Sequence, residues 1–209
     1  TVLYPPVDLP EKKDTKKERI ILNLGRMGIR ASGSSYKKQE VLRDAFKQMV
    51  KDGLKDWDLV FIVNVTDQEE NVAKEFIDSV KDFPITVVIN PDMETVKAYY
   101  QKASLYWHAA GFGEDLVKHP DRAEHFGLST VEAMHFGAVP VVIKAGGQPE
   151  IVRDERDGLL WETEVELRDK TKKLMTDEKL RNELAENAQK RAALFTIDRF
   201  CEDLKKIIS

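Results

Sequence analysis

The sequence contains one cysteine, no long apolar run and no excess of basic residues. A single thiol, Cys201, excludes an internal disulfide and a cysteine-based zinc site, and it fits a reducing compartment. No segment approaches the roughly 18 apolar residues of a membrane helix, which excludes a membrane-spanning protein. A formal net charge of −4 argues against a general nucleic-acid-binding protein. We therefore expect a cytoplasmic globular protein.

The N-terminal segment differs in composition from the rest of the chain. Residues 1–17 are rich in proline and charge, and the first ten show no export signal. The chain does not start with methionine. We interpret residues 1–17 as a linker or flap and not as a core element.

From Arg19 onward, short apolar runs alternate with segments of helical periodicity. The strands are predicted at 20–24, 59–65, 85–89, 105–109, 139–143 and 158–161. The helices are predicted at 37–51, 67–80, 93–103, 126–136, near 148, and at 165–175, 178–194 and 197–208. Cys201 falls in the last helix, where we interpret it as a small packing residue.

This alternation predicts an α/β fold, a Rossmann-like doubly wound parallel sheet of about six strands. Ligands of such sheets bind at the carboxyl ends of the strands, near the point where the strand order reverses. The loops to consider are therefore 25–36, 90–93, 110–123 and 144–149.

Several familiar site patterns are missing. The first loop, Gly25-x-x-Gly28-x-x-x-x-Gly33, fits neither the dinucleotide fingerprint nor the Walker loop. The four histidines show no paired metal-ligand spacing, and no G-x-S-x-G elbow is present. Nicotinamide enzymes, P-loop NTPases, metal centres and serine hydrolases are disfavoured.

Two carboxylates, Glu124 and Glu132, lie eight residues apart around the start of a predicted helix. Gly127 separates the loop from the helix, whose first amides belong to Leu128 and Ser129. Unpaired amides and the helix dipole favour an anion such as phosphate. The alternative is that both acids are solvated surface groups.

Other candidates follow other strands. Arg26 comes just after the first strand, and the Lys37-Lys38 pair precedes the next helix, where a bound anion would favour cations. Gly146-Gly147 could allow a ligand to approach the backbone, or could simply form a tight turn. The alternative for the lysines is a solvated pair.

These pieces together resemble the donor-binding C-terminal domain of retaining glycosyltransferases of the GT-B fold, the large family-four group (glycosyl transferases group 1). The resemblance covers nearly the whole chain, and its most specific parts are the Glu-x7-Glu and Gly-Gly-x-x-Glu patterns. The motifs that carry it are Leu-Gly-Arg-Met at 24–27, Lys37-Lys38-Gln39, Ala45-Phe46, Glu124-His-Phe-Gly with Glu132-Ala, Gly-Ala-Val-Pro-Val-Val at 137–142, Gly146-Gly147-Gln-Pro-Glu150, Asp-Gly-Leu-Leu at 157–160 and Phe-Thr-Ile-Asp-Arg-Phe at 195–200.

The resemblance implies a role for each matching residue. Glu124 would be the catalytic residue beside the donor sugar, and Glu132 would bind the ribose hydroxyls. Arg26 and Lys37 would neutralise the diphosphate, although the family often has Lys-Gly where this chain has Lys37-Lys38, which leaves open which lysine does so. The other donor-binding residues implied are Met93, near the base, together with Phe126, Gly127, Leu128, Ser129, Gly146 and Gly147.

The implied activity is transfer of a hexose from a nucleoside-diphosphate sugar, such as a UDP- or GDP-hexose, with retention and without a bound metal or cofactor. The predicted domains are a hinge at 1–17, a donor-binding domain at 18–195 and a closing helix at 196–209. The acceptor-binding N-terminal domain is expected to be missing here, so the fragment alone should be inactive.

That missing domain would bring any peripheral membrane contact or lipid-linked acceptor. Two alternatives remain open. One is a phosphorylase or epimerase with the same cradle, and the other is a non-catalytic sensor of nucleotide sugars.

Overall fold

The structure, a computed structural model, describes residues 2–12, 15–29 and 35–208. Parts of the predicted hinge and of the first loop, at 13–14 and 30–34, lie outside the described residues, as do Thr1 and Ser209. Six parallel strands form one sheet in the order β3-β2-β1-β4-β5-β6, with helices on both faces. The predicted doubly wound α/β fold is confirmed.

The strands occupy the places that their apolar runs predict, with small differences at the ends. The six are β1 (Glu18–Arg26), β2 (Asp58–Asn64), β3 (Ile85–Ile89), β4 (Ala103–His108), β5 (Val139–Ile143) and β6 (Leu159–Trp161). The first strand is longer than its apolar run because polar residues at both ends also pair, Glu18 with Ala103 and Arg26 with Asn64.

The helices are α1 (Gln39–Lys51), α2 (Glu70–Val80), α3 (Met93–Lys102), α4 (Leu128–His135), α5 (Gln148–Ile151), α6 (Glu164–Thr176), α7 (Glu178–Ala192) and α8 (Ile197–Ile208). Short 3-10 turns lie at Asp67–Glu69, Pro120–Arg122 and Ala193–Phe195. Three predicted starts were too early. The helix predicted at 67–80 opens with the 3-10 turn and becomes α-helical only at Glu70. The first helix begins at Gln39 and not at 37, and the fourth begins at Leu128 and not at 126, because Lys38 and Gly127 adopt left-handed backbone conformations that cannot continue a helix.

Alternate side chains of each central strand build two apolar layers. On β1, Ile21 packs in the layer with Phe46 and Trp107, while Leu22 packs in the layer with Tyr106. All of these side chains are almost fully buried. A strand buried on both faces needs apolar residues at every position, which is why these strands read as continuous runs.

The strand order reverses beside β1. From β1 the chain builds outward through β2 and β3, and it then crosses back to place β4 on the other side of β1. The carboxyl ends of β1 and β4 therefore flank the switch point of the sheet, where doubly wound folds form a crevice.

The N-terminal segment is not the loose flap that its prolines and charges predicted. Val7 is 3% exposed, belongs to one of the core layers, and donates its amide to the carbonyl of Phe195 at 2.8 Å. Tyr4 packs against Phe126 and Phe195. Apolar side chains spaced along this segment override the local composition and fix it to the domain.

The last helix has an apolar side that the domain does not bury. No residue of α8 is buried, and Ile207 and Ile208 are largely exposed. Cys201, expected to pack, is exposed on this helix. Among the described residues, no helix is both long and apolar enough to span a bilayer.

Candidate functional site

The site starts where β1 ends. Lys37 lies just before α1, and its side-chain stem crosses the backbone of Gly25, where an added Cβ would lie 3.1 Å from the lysine Cγ. Gln39, which is 2% exposed, donates to the carbonyl of Arg26 at 3.1 Å and ties the start of α1 to the end of β1. Glycine at position 25 thus gives Lys37 its path into the crevice.

Lys37 meets Glu124 and His108 at the switch point. The Lys37 Nζ lies 2.5 Å from the Glu124 Oε2, and the His108 Nε2 lies 3.1 Å from the same oxygen. Burial acts to raise the pKa of Glu124, but hydrogen bonds and charge from His108 and Lys37 outweigh it and lower the pKa to about 2. Glu124 is therefore ionised throughout the physiological range.

His108, the last residue of β4, is 2% exposed. Burial lowers its pKa, against the opposing effect of the Glu124 carboxylate. Its Nδ1 has no hydrogen-bond partner among the described residues. A neutral ring that donates from Nε2 to Glu124 satisfies this geometry and orients the carboxylate.

The N-terminal tip of α4 faces the end of β1. Gly127, with φ of 114°, starts the helix, so the amides of Leu128 and Ser129 have no acceptor one turn earlier in the helix. The Tyr106 hydroxyl donates to the Ser129 Oγ at 2.7 Å and lies 3.4 Å from the carbonyl oxygen of Leu24. Tyr106 thus bridges the tip of α4 and β1, and the helix dipole points into the crevice.

Glu132 lies one turn further along α4, on the same side as the crevice. Its Oε2 accepts a hydrogen bond from the Tyr100 hydroxyl at 2.8 Å, and burial raises its pKa. Both Glu124 and Glu132 act electrostatically on Tyr106, whose pKa is raised chiefly by burial. Tyr106 thus lies within electrostatic reach of both carboxylates of the Glu-x7-Glu pattern.

The cations separate into different partners. Arg26 is exposed, and its guanidinium carbon lies 4.2 Å from the centre of the Tyr36 ring. Lys38 turns away from Lys37 and forms an ion pair with Glu114 at 2.6 Å. Of the two lysines between which the sequence left a choice, Lys37 is the one paired with Glu124.

The two glycines after β5 make room for the chain itself. A Cβ at Gly146 would lie 2.2 Å from the Glu124 carbonyl oxygen, and one at Gly147 would lie 2.3 Å from that of His125. The Gly147 amide donates to the Glu124 carbonyl at 2.8 Å. The sequence suggested that a ligand makes this close approach. In the structure it is made by the backbone of Glu124 and His125, which we call the Glu124 loop and which packs against both glycines.

Two other predicted donor contacts lie outside the Glu124 region. The Phe126 ring packs against Tyr4 and Phe195, so its side chain fixes the N-terminal segment. Met93 starts α3 after the edge strand β3 and is 77% exposed. The strand that precedes it, β3, lies two strands, or about 10 Å, from β1.

Sequence reasoning did not find Glu114 or the tyrosines that orient the site. His108 had a usable signal, because a histidine at the carboxyl end of a buried strand must find a polar partner at that edge. Tyr100 and Tyr106 look like core aromatics in the sequence, and only the fold shows which carboxylate or helix tip their hydroxyls meet.

The chain matches the family model described as "Glycosyl transferases group 1" over residues 8–191. An uncharacterised glycosyltransferase of Methanocaldococcus jannaschii is 32% identical over 90 residues, which are 42% of this chain and 26% of that protein. The chain thus spans only part of the curated relatives that it matches.

Solved structures share the fold. HepE from Anabaena, in complex with UDP and glucose, has a TM-score of 0.72 at 18% identity and covers 92% of this chain, which spans 48% of HepE. The C-terminal domain of the group 1 family protein LpcC from Francisella tularensis has a TM-score of 0.69 at 22% identity and covers 93% of this chain and 97% of its own length. The chain therefore belongs to the glycosyl transferases group 1 family and has the fold of a GT-B C-terminal domain.

Proposed function

We propose that this chain is the donor-binding domain of a retaining glycosyltransferase that moves a hexose from a nucleoside-diphosphate sugar to an acceptor. The observation that carries the proposal is the ion pair of Lys37 and Glu124, placed at the switch point of the sheet beside the tip of α4. A cation, a carboxylate and helix amides meet there in one crevice, which gives separate places to a diphosphate and to a sugar.

The diphosphate would lie between Lys37 and the tip of α4. An ammonium has three donors, so Lys37 can keep its bond to Glu124 while it binds a phosphate oxygen. The first amides of α4 add donors and a positive partial charge, and Arg26 adds a second cation from the end of β1. We propose that these groups stabilise the departing nucleoside diphosphate and that no bound metal is needed.

Glu124 would lie beside the anomeric centre. A carboxylate with a pKa of about 2 carries no proton to give at neutral pH, so its role is that of a fixed negative charge. Positive charge develops on the sugar as the glycosidic bond breaks, and a carboxylate held by His108 and Lys37 stabilises it.

The nucleoside would extend toward β3. A carboxylate accepts several hydrogen bonds, so Glu132 can bind ribose hydroxyls and keep its bond from Tyr100. The base would then reach the loop that leads to Met93. That the related HepE structure contains UDP and glucose supports a nucleotide-sugar donor.

The acceptor would be bound by a second domain, which comes from another part of the protein. The chain spans 48% of HepE, and its N-terminal segment lies beside the start of α8 through the bond from Val7 to Phe195. We propose that residues 1–17 and the closing helix at 196–209 are the two connections to that N-terminal domain. Any lipid-linked acceptor or membrane contact would lie there, and this domain alone would bind nucleotide weakly and transfer little sugar.

Calorimetry with UDP, GDP and ADP tests the proposal. We expect binding of at least one nucleotide by the 209-residue chain. Lys37→Met should weaken it about tenfold or more, because a charge-assisted phosphate contact is lost. Lys55→Met is the matched control, since Lys55 is exposed before β2, at the opposite edge of the sheet. No binding of any nucleotide at millimolar concentration, or equal losses in the two variants, would overturn the proposal.

Calorimetry with inorganic phosphate and activity measurements on the full-length protein test two of the alternatives. A phosphorylase would bind free phosphate in place of a nucleotide. A non-catalytic sensor would bind the nucleotide, but the full-length protein would keep its function after Glu124→Gln. Measurable transfer by the isolated domain would contradict the need for an N-terminal domain.

A further inference from the structure

A second cluster of charges is buried next to the proposed donor site. The Lys38 Nζ lies 2.6 Å from the Glu114 Oε1, and the Arg122 Nη1 lies 2.8 Å from the Glu114 Oε2. The side chains of Glu114 and Lys38 are only 6% and 12% exposed. We call these three residues the Glu114 cluster. Burying three charges is costly, so such a cluster calls for a structural or functional reason.

The cluster joins the two chain segments that carry the Lys37–Glu124 pair. Lys38 directly follows Lys37 at the start of α1, and Arg122 precedes Glu124 by two residues. Glu114 lies in the long connection from β4 to α4, which also contains Arg122. Lys37 and Glu124 therefore each lie within two residues of a cation that pairs with Glu114.

Lys38 has a backbone conformation that disfavours side chains. Its φ and ψ are 56° and 37°, in the left-handed region, where the Cβ of an L-residue is crowded. The Lys38 amide donates to the Ser35 Oγ at 2.9 Å. This conformation separates the two lysine side chains, so that Lys37 reaches Glu124 and Lys38 reaches Glu114.

We propose that Glu114 is a positioning residue for the donor site. By pairing with Lys38 and Arg122 it holds the left-handed turn before α1 and the segment before Glu124 in place, and so it aims Lys37 at Glu124. This inference rests on the proposed function for its consequence, which is nucleotide affinity, but the geometry that it describes can be tested without a nucleotide.

Replacing Glu114 itself would leave two cations buried without a counter-charge and could unfold the domain. The sharper comparison is Lys38→Met with Lys38→Arg. Methionine keeps a long side chain but loses the ion pair with Glu114, whereas arginine keeps the positive charge that pairs with it, and both keep the Cβ at this left-handed position. We expect UDP to bind about tenfold more weakly to Lys38→Met than to the wild type, and less than threefold more weakly to Lys38→Arg.

The second readout needs no ligand. Lys37 lowers the pKa of His108 through its charge, so loss of Lys37 from the site should raise that pKa. We would titrate His108 by NMR in the wild type, in both Lys38 variants and in Lys37→Gln, which marks complete loss. In Lys38→Met the His108 pKa should shift toward that of Lys37→Gln, while in Lys38→Arg it should stay near that of the wild type.

Melting temperatures show whether each variant is folded at the temperature used. If the methionine and arginine variants give the same UDP affinity and the same His108 pKa, the Glu114 cluster does not position Lys37 and the inference is wrong. If the wild type binds none of UDP, GDP and ADP but the His108 pKa values still separate, the positioning role stands and the proposed donor is wrong.

Discussion

The two edges of the sheet bury charged side chains in different ways. At the carboxyl edge, Glu124 is paired with Lys37 and His108, and its pKa falls to about 2. At the amino edge, the Lys17 ammonium lies 2.8 Å from the carbonyl of Ala103 and 3.3 Å from that of Tyr100. Burial, with a smaller effect of Lys12, lowers the pKa of Lys17 to about 7.

The difference shows what each edge is built to hold. A charge matched by opposite charge stays ionised when it is buried, whereas a charge matched only by carbonyl dipoles moves toward its neutral form. The carboxyl edge thus keeps a carboxylate and an ammonium paired with each other, which agrees with the charged ligand proposed for it. At the amino edge, Lys17 donates to carbonyls at the end of α3 and the start of β4, and so links the segment before β1 to that strand.

The largest expected effect is that of Glu124→Gln on turnover by the full-length protein. We expect kcat to fall about a hundredfold or more, because the change removes the negative charge that we propose to lie beside the anomeric centre. Nucleotide affinity should be kept or improved, since Lys37 is released from its carboxylate partner. Steady-state kinetics and calorimetry measure the two quantities.

The control for this change is Asp58→Asn, which removes an exposed carboxylate at the start of β2, at the amino edge of the sheet. It should lower kcat far less than Glu124→Gln does. Equal kcat values for Glu124→Gln and the wild type would show that the charge of Glu124 at the carboxyl edge does not contribute to turnover.

Gly146→Ala should have the next largest effect, on stability. The new Cβ would lie 2.2 Å from the Glu124 carbonyl oxygen at a φ of 58°, so the Glu124 loop must move. We expect the free energy of unfolding to fall by about 3 kcal/mol. Urea denaturation measures it, with Gly53→Ala as the control, because Gly53 also has a positive φ but has open space around it. Equal losses in the two variants would show that the contact with the Glu124 loop is unimportant.

Lys17→Met tests whether burial lowers the pKa of Lys17 at the amino edge. The pKa of Lys17 is about 7 in the folded chain, whereas the pKa of a lysine in an unfolded chain is about 10.4. The unfolded state therefore binds more protons between these values, and the stability of the wild type should rise with pH.

Urea midpoints at pH 6.5 and pH 9 measure this effect. We expect the unfolding free energy of the wild type to gain about 1 kcal/mol or more over this interval relative to Lys17→Met. A parallel pH dependence in the two proteins would mean that Lys17 titrates normally and that the two edges do not differ as described.

The smallest expected effect is that of Gly25→Ala. The added methyl group would lie 3.1 Å from the Cγ of Lys37, whose flexible stem can shift. We expect nucleotide affinity to fall severalfold while the melting temperature changes little, because the strand itself tolerates alanine. Calorimetry checks the first part and thermal unfolding the second. Unchanged affinity would show that Lys37 reaches the site by another path.

Much of the fold could be read from local pattern. The runs at 85–89 and 139–143 predicted β3 and β5 with their observed bounds. Every residue of β5 is buried, as expected for an apolar run in the middle of a parallel sheet, while the edge strand β3 is only partly buried. The segment around Val7 could not be read in this way. Its burial depends on the distant Phe195, and its prolines and charges suggested a loose linker.

The candidate site shows the same division. Glu124, Glu132 and Lys37 could be found because their types and spacing resemble a family pattern, although their roles in binding and catalysis stay predictions. Glu114 and Arg122 could not be found, since the sequence marks them as two ordinary charges in a long polar loop. Their pairing with Lys38 exists only when that loop packs against the start of α1.

The sequence alone determined the order of strands and helices, the parallel sheet and the family, because these depend on apolar periodicity and on short ordered motifs. Tertiary structure decided which lysine meets Glu124, what occupies the space beside Gly146 and how each buried charge is matched. These features depend on distances between segments that are far apart in the chain, and local composition does not encode such distances.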